Sequence, residues 1–105
     1  MTIEDFVGIL DGTGIPFAYD HFAEGESPEP PFICYLLPGS NNFAADGQVY
    51  FRISEVRVEL YTDRKAPEVE AKVEAVLDAA GIFYNKSEVW IQSEKLYEVL
   101  YSMEV

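Results

Sequence analysis

Cys34 is the only cysteine and His21 the only histidine in the chain, so thiolate and imidazole chemistry each rest on a single residue. Cys34 lies inside Phe32-Ile33-Cys34-Tyr35-Leu36-Leu37. A thiol in such surroundings behaves as a small buried hydrophobe. A nucleophilic thiolate needs a neighbouring cation, and His21 is the one candidate in the first half of the chain. A single cysteine forms no internal disulfide and fits a reducing compartment. His21 has no second histidine for a paired-histidine mechanism or a histidine-rich metal site. Asp20, His21 and Ser27 supply the residue types of a Ser-His-Asp triad, but the serine lacks a nucleophile elbow. Asp11-Gly12-Thr13-Gly14 holds the letters of a catalytic Asp-Thr-Gly turn in a different order, and it follows a helix rather than a strand. Asp46-Gly47 lacks the run of acids that a calcium loop requires. The glycines form neither a phosphate loop nor a dinucleotide fingerprint. The expectation is a protein without enzymatic activity, cofactor or motif-encoded metal.

The elements that position these residues follow from capping and periodicity. Thr2 can cap a first helix and Asp5 can reach back to it, with Glu4 and Asp5 at the positive helix end. Ile3, Phe6, Val7 and Leu10 then share one face, and Gly12 and Gly14 stop the helix. Pro16 to Phe22 reads as extended, with Phe17, Tyr19 and His21 on one side. Ala23 to Pro31 is a loop, with three prolines and the acids Glu24, Glu26 and Glu29. Phe32 to Leu37 suits a strand covered on both faces, ended by Pro38-Gly39. Ser40 to Gln48 is too long for a tight hairpin and reads as a long loop.

Tyr50 to Tyr61 is the longest strand candidate. Val56, Val58 and Leu60 alternate with Arg57, Glu59 and Tyr61, and a phase slip near Ser54-Glu55 predicts a β-bulge or a change of partner. Pro67 to Ala80 reads as a helix ending at Gly81. Its apolar stripe is Val69, Val73, Val76, Leu77 and Ala80, with Glu68 and Lys72 spaced to pair. Ile82 to Tyr84 leads into Glu88 to Ile91, followed by a turn at Gln92 to Lys95. Leu96 to Val105 fits both a helical and a strand pattern. Its aromatic content and the short preceding turn favour a strand. The fold class expected is α+β: a single domain over residues 1–105, a mostly antiparallel sheet with two helices packed on it, in the order α-β-β-β-α-β-β.

Charge narrows the function classes. The chain carries a formal net charge of −12, and its first 51 residues contain no lysine or arginine. So acidic a surface repels phosphate backbones, which argues against nucleic-acid binding and points to contact with proteins. Phe32 to Leu37 is the longest apolar run, far short of the roughly 20 residues of a spanning helix. Glu4 and Asp5 stand where a signal peptide has a basic region. Glu24, Glu26 and Glu29 are either a solvated loop or a contact for a basic partner. Tyr50, Tyr61, Tyr84, Trp90, Tyr97 and Tyr101 either line the sheet of a monomer or serve an interface.

Phe32 to Val105 resembles small proteins of the tail-assembly region of long-tailed phages and prophages of Gram-positive bacteria, the tail completion, tail terminator and head–tail joining class. The resemblance rests on the apolar strand with Pro38, the loop Ser40-Asn41-Asn42-Phe43-Ala44-Ala45-Asp46, Val58-Glu59-Leu60-Tyr61-Thr62-Asp63, the Ala80-Gly81-Ile82 helix exit and Glu94-Lys95-Leu96-Tyr97. It implies a non-enzymatic subunit of a ring, usually a hexamer, that ends the tail tube and faces the head connector. The location implied is the virion, and the host bacterial cytoplasm during assembly. The ring would bind the tail tube protein and the connector, with no membrane and no specific nucleic acid. An acidic channel would let DNA pass without holding it. Interface roles are expected for Asn41, Asn42, Phe43 and Asp46, then for Glu24, Glu26 and Glu29. The alternative is an acidic DNA mimic or another protein-binding inhibitor or adaptor. A mimic needs acids spaced like phosphates on one face, whereas these are spread over helix, loop and strands.

Overall fold

Helix α1 (Ile3–Asp11) begins at a capping box. Thr2 Oγ1 accepts from the Asp5 amide at 3.1 Å, and the Thr2 amide donates back to Asp5 Oδ2 at 3.4 Å. Gly12 caps its end, and Gly14, at φ 71°, turns the chain toward the sheet. The structure is a computed structural model. It describes residues 1–45 and 47–105, and for Phe43, Ala45, Val49, Tyr50 and Phe51 it describes the backbone alone.

The strands that follow are β1 (Phe17–Tyr19), β2 (Phe32–Ser40), β3 (Phe43–Ala45), β4 (Gln48–Phe51) and β5 (Ser54–Thr62). Helix α2 (Pro67–Ala79) precedes β6 (Tyr84–Ile91) and β7 (Leu96–Glu104). The main sheet has five strands in the order β1-β2-β5-β7-β6. β1 runs parallel to β2, and every other pair in it is antiparallel. The fold is therefore α+β, and the main-sheet strands and helices follow the expected order. Because β7 lies between β5 and β6, the β5-α2-β6 connection is a split β-α-β unit.

The core forms where the alternation of β5 meets the helices. Val56, Val58, Leu60 and Thr62 are buried, while Arg57, Glu59 and Tyr61 are half-buried on the other face. Phe6 and Leu10 of α1 and Val73 and Leu77 of α2 pack with Ile33, Val56, Val58, Leu60, Val99 and Tyr101. Both helices thus lie on one face of the sheet. Burial of these side chains, at about 1.5–3 kcal/mol each, is the principal stabilising term.

Four local expectations are corrected. Pro38-Gly39 does not end β2. The strand continues to Ser40 through a shift in register with β5 between Leu36 and Gly39, and this irregularity accommodates a proline that has no amide to donate. The segment from Ser40 to Gln48 is not a long loop, since β3 pairs with β4 in a two-stranded sheet of its own. Gly47, at φ 75°, precedes Gln48, which pairs with Ala45.

Tyr50 to Tyr61 is not one strand. It breaks at Arg52-Ile53, where β4 leaves β3 and β5 joins β2 and β7. The phase slip therefore marks a change of partner. The stripe of α2 also includes a buried acid, Glu70, and the ion pair made by Glu68 is with Arg64, four residues before it, rather than with Lys72.

Candidate interaction surfaces

The hairpin β3–β4 is fixed at its base by two asparagines. The Asn41 amide donates to the Ile53 carbonyl at 2.9 Å, and Asn42 Oδ1 accepts from the Ile53 amide at 3.1 Å. Asn41 Nδ2 also donates to Glu104 Oε1 at 3.3 Å, tying the base to the end of β7. Asn41 and Asn42 are exposed, yet their polar atoms already hold the hairpin against the end of the central strands. The side chain of Phe43 and the whole of Asp46 lie outside the described residues, and so does the side chain of Tyr50.

A second surface is the face of the sheet that the helices leave open. Phe32 stacks on Tyr61 with ring centroids 5.1 Å apart, and Phe22 meets Phe32 edge-on at 5.6 Å. Phe22 therefore anchors the acidic loop over this face. The loop leaves β1 at Asp20, whose φ is 62°, and passes Gly25 at φ 79°. Glu24, Glu26 and Glu29 are all exposed, and none takes part in an ion pair among the described residues. They are solvated charges on a segment held at one end by an aromatic contact.

Under that loop a shallow depression is lined by Asp20, His21, Phe22, Ser27, Cys34 and Tyr61, among others. His21 Nδ1 lies 2.9 Å from Asp20 Oδ2, with the imidazole 78% exposed. Among the described residues, no hydrogen bond joins Ser27 to His21. Burial, then the charges of Glu59, Asp20 and Glu98, push the Cys34 thiol up to about 11, so it is protonated at neutral pH. A protonated thiol beside three carboxylates is a packing group and a poor nucleophile.

Further along the same face, burial pushes the Glu98 carboxyl up. The charge of Glu59 and a hydrogen bond with it add to the effect, and Arg57 opposes them. The Tyr61 hydroxyl donates to Glu59 Oε1 at 3.2 Å. The open face thus carries an aromatic patch next to a crowded carboxylate pair.

Three of the seven basic side chains are already engaged. Arg64 pairs with Glu68, Lys65 with Glu70 and Glu88, and Lys86 with Glu70 and Glu74. The acceptors of Lys86, Glu70 and Glu74, come from a separate element, so no local spacing points to them. Of the aromatic side chains left open between core and interface, Tyr101 is fully buried while Tyr61, Tyr84 and Tyr97 are half-buried. Trp90 is 41% exposed and packs on Tyr97 with centroids 4.7 Å apart. Among the described residues, no cluster of three or more histidine, cysteine or carboxylate groups is placed to hold a metal ion, and no helix is long and apolar enough to cross a membrane. Compared with known proteins, the chain matches no family model and no curated protein.

Proposed function

We propose that this chain is a non-enzymatic structural subunit of a phage or prophage tail, assembling as a ring that ends the tail tube and meets the head connector. The observation that carries the reading is the hairpin β3–β4. The segment Ser40 to Asp46, part of the resemblance to tail terminators, contains β3, which pairs with β4 in a hairpin pinned at its base by Asn41 and Asn42. A ring subunit needs two different contact surfaces, because a head-to-tail contact closes by rotation. The hairpin and the open aromatic sheet face are two such surfaces. The unpaired acids of the Glu24 to Glu29 loop suit a basic patch on the connector or tube, and they keep DNA in transit from adhering.

The test is light scattering and negative-stain microscopy of the purified chain with assembled tail tubes. Rings capping one tube end support the reading, as does loss of capping when Glu24, Glu26 and Glu29 are all replaced by glutamine with an unchanged melting temperature. A chain that never associates with tubes but displaces DNA from a DNA-binding protein overturns it in favour of an acidic mimic.

A further inference from the structure

Strand β6 is a long sheet edge without the usual protection. It pairs with β7 on one side alone, in unbroken register from Tyr84↔Met103 to Ile91↔Leu96. It contains neither proline nor register shift, the devices that natural edges use against pairing with other chains. The opposite edge, β1, is only three residues long. Residues Asn85 to Trp90 are all exposed, with Val89 at 53% and Trp90 at 41%, and the adjoining Phe83 is 81% exposed. The ammonium of Lys86, the one basic side chain of the strand, is drawn back to Glu70 and Glu74 of α2.

The sequence of this edge is complementary to itself. About Ser87, the stretch Phe83-Tyr84-Asn85-Lys86-Ser87-Glu88-Val89-Trp90-Ile91 places opposite charges at Lys86 and Glu88, aromatics at Tyr84 and Trp90, and apolar side chains at Phe83 and Ile91. We propose that β6 pairs antiparallel with β6 of a second copy of this chain, about a two-fold axis at Ser87. In that register Lys86 faces the partner's Glu88, Tyr84 faces the partner's Trp90 and Phe83 faces the partner's Ile91. Facing residues share strand parity, so each pair sits on one face of the joined sheet.

Charge selects the same edge. Two copies at net −12 repel each other. β6 carries one lysine and one glutamate, so it is a neutral strip on an acidic molecule, where a like copy approaches with least opposition. Residual repulsion comes from charges elsewhere and is screened over about 8 Å at physiological ionic strength. Pairing therefore strengthens as salt rises. The contact is isologous and does not close a ring. It is independent of the tail reading and joins two subunits or two rings.

The register is tested by cysteine cross-linking in the full chain. Ser87→Cys places two thiols directly opposite, at the roughly 4.5–5.5 Å Cα separation that a disulfide spans. It should convert to a covalent dimer on mild oxidation. Asn85→Cys alone and Val89→Cys alone should not, since each thiol then lies four residues, about 13 Å, from its copy. An equimolar mixture of those two variants should cross-link. Cys34 is buried and does not compete. Val89→Glu puts a further negative charge on each copy at an exposed position of this neutral strip and should weaken the dimer severalfold, with the circular dichroism spectrum unchanged. Sedimentation should show wild-type association rising with salt. A monomer at every salt concentration, or cross-linking of the single variants at 85 and 89 as efficient as at 87, overturns the proposal. Failure here leaves tail capping untouched, because the two readouts use different surfaces.

Discussion

The ammonium of Lys86 on β6 lies 2.7 Å from Oε1 of Glu70 on α2. This charge contact links the helix to the edge strand, and Lys65 completes it from the other side, its Nζ 2.8 Å from Glu70 Oε2. Glu70 is only 3% exposed, while Lys65 and Lys86 are 48% and 36% exposed. Burial pushes the Glu70 carboxyl up, but the hydrogen bonds from the two lysines outweigh it and hold the group below the ordinary value of 4.5. The stabilisation from Glu70 is therefore complete above about pH 4.5, the unfolded value, and is lost as pH falls through the lower folded one. Glu70→Gln should cost about 1–3 kcal/mol at neutral pH, less than a fully buried pair because the lysines keep water and their other acceptors. Thermal melts between about pH 5 and pH 2 should fall less steeply for the variant than for the wild type. Parallel curves would refute the assignment.

Glu98 behaves oppositely. Burial and then Glu59 raise its carboxyl above the ordinary 4.5, so ionising it at neutral pH works against the fold. Its favourable contribution is full below the unfolded value and is lost as pH rises through the higher folded one. Glu98→Gln should therefore stabilise the protein at neutral pH by a few tenths to about 1 kcal/mol, the scale of a cross-strand pair. The gain should vanish in acid, where the Glu98 carboxyl is protonated in the folded and the unfolded chain alike. Urea titrations at pH 7 and at about pH 3.5 check this, and a loss of stability at neutral pH would sink it.

The features legible in the sequence are those decided by neighbours along the chain. Thr2 and Asp5 are three residues apart, so their capping box is visible before any fold is known. The alternation of Val56, Val58 and Leu60 names its own buried face. Leu96 to Val105 fits two periods, and the deciding feature is again local, the short turn after Ile91 with Lys95 at φ 54°. What stayed hidden depends on distant partners. Glu70 occupies an interior position of α2 that periodicity assigns to an apolar residue, and the return of the chain with Lys86, which joins the nearby Lys65, makes a carboxylate tolerable there. The partner change at Arg52-Ile53 shows in the sequence as a phase slip, but which strands exchange is set by the whole sheet.

The hinge of that hairpin yields the last prediction. Asn42 Oδ1 accepts from the Ile53 amide at 3.1 Å, and the Asn41 amide donates to the Ile53 carbonyl at 2.9 Å. Both backbone groups of Ile53 are thus held from the Asn41-Asn42 segment on the other side of the hairpin base. Asn42→Ala removes one side-chain bond and leaves an exposed amide that water can satisfy, so the global cost is small, about 0.5–1.5 kcal/mol or less. Locally the effect is larger, because a two-stranded hairpin is only marginally stable without its anchor. Hydrogen exchange read by mass spectrometry should accelerate across residues 43–53 while protection of β5 and β7 persists. Equal acceleration in all three segments would place Asn42 in the global fold rather than in the hinge. Unchanged exchange would mean that the Asn41 backbone bond alone holds the hairpin.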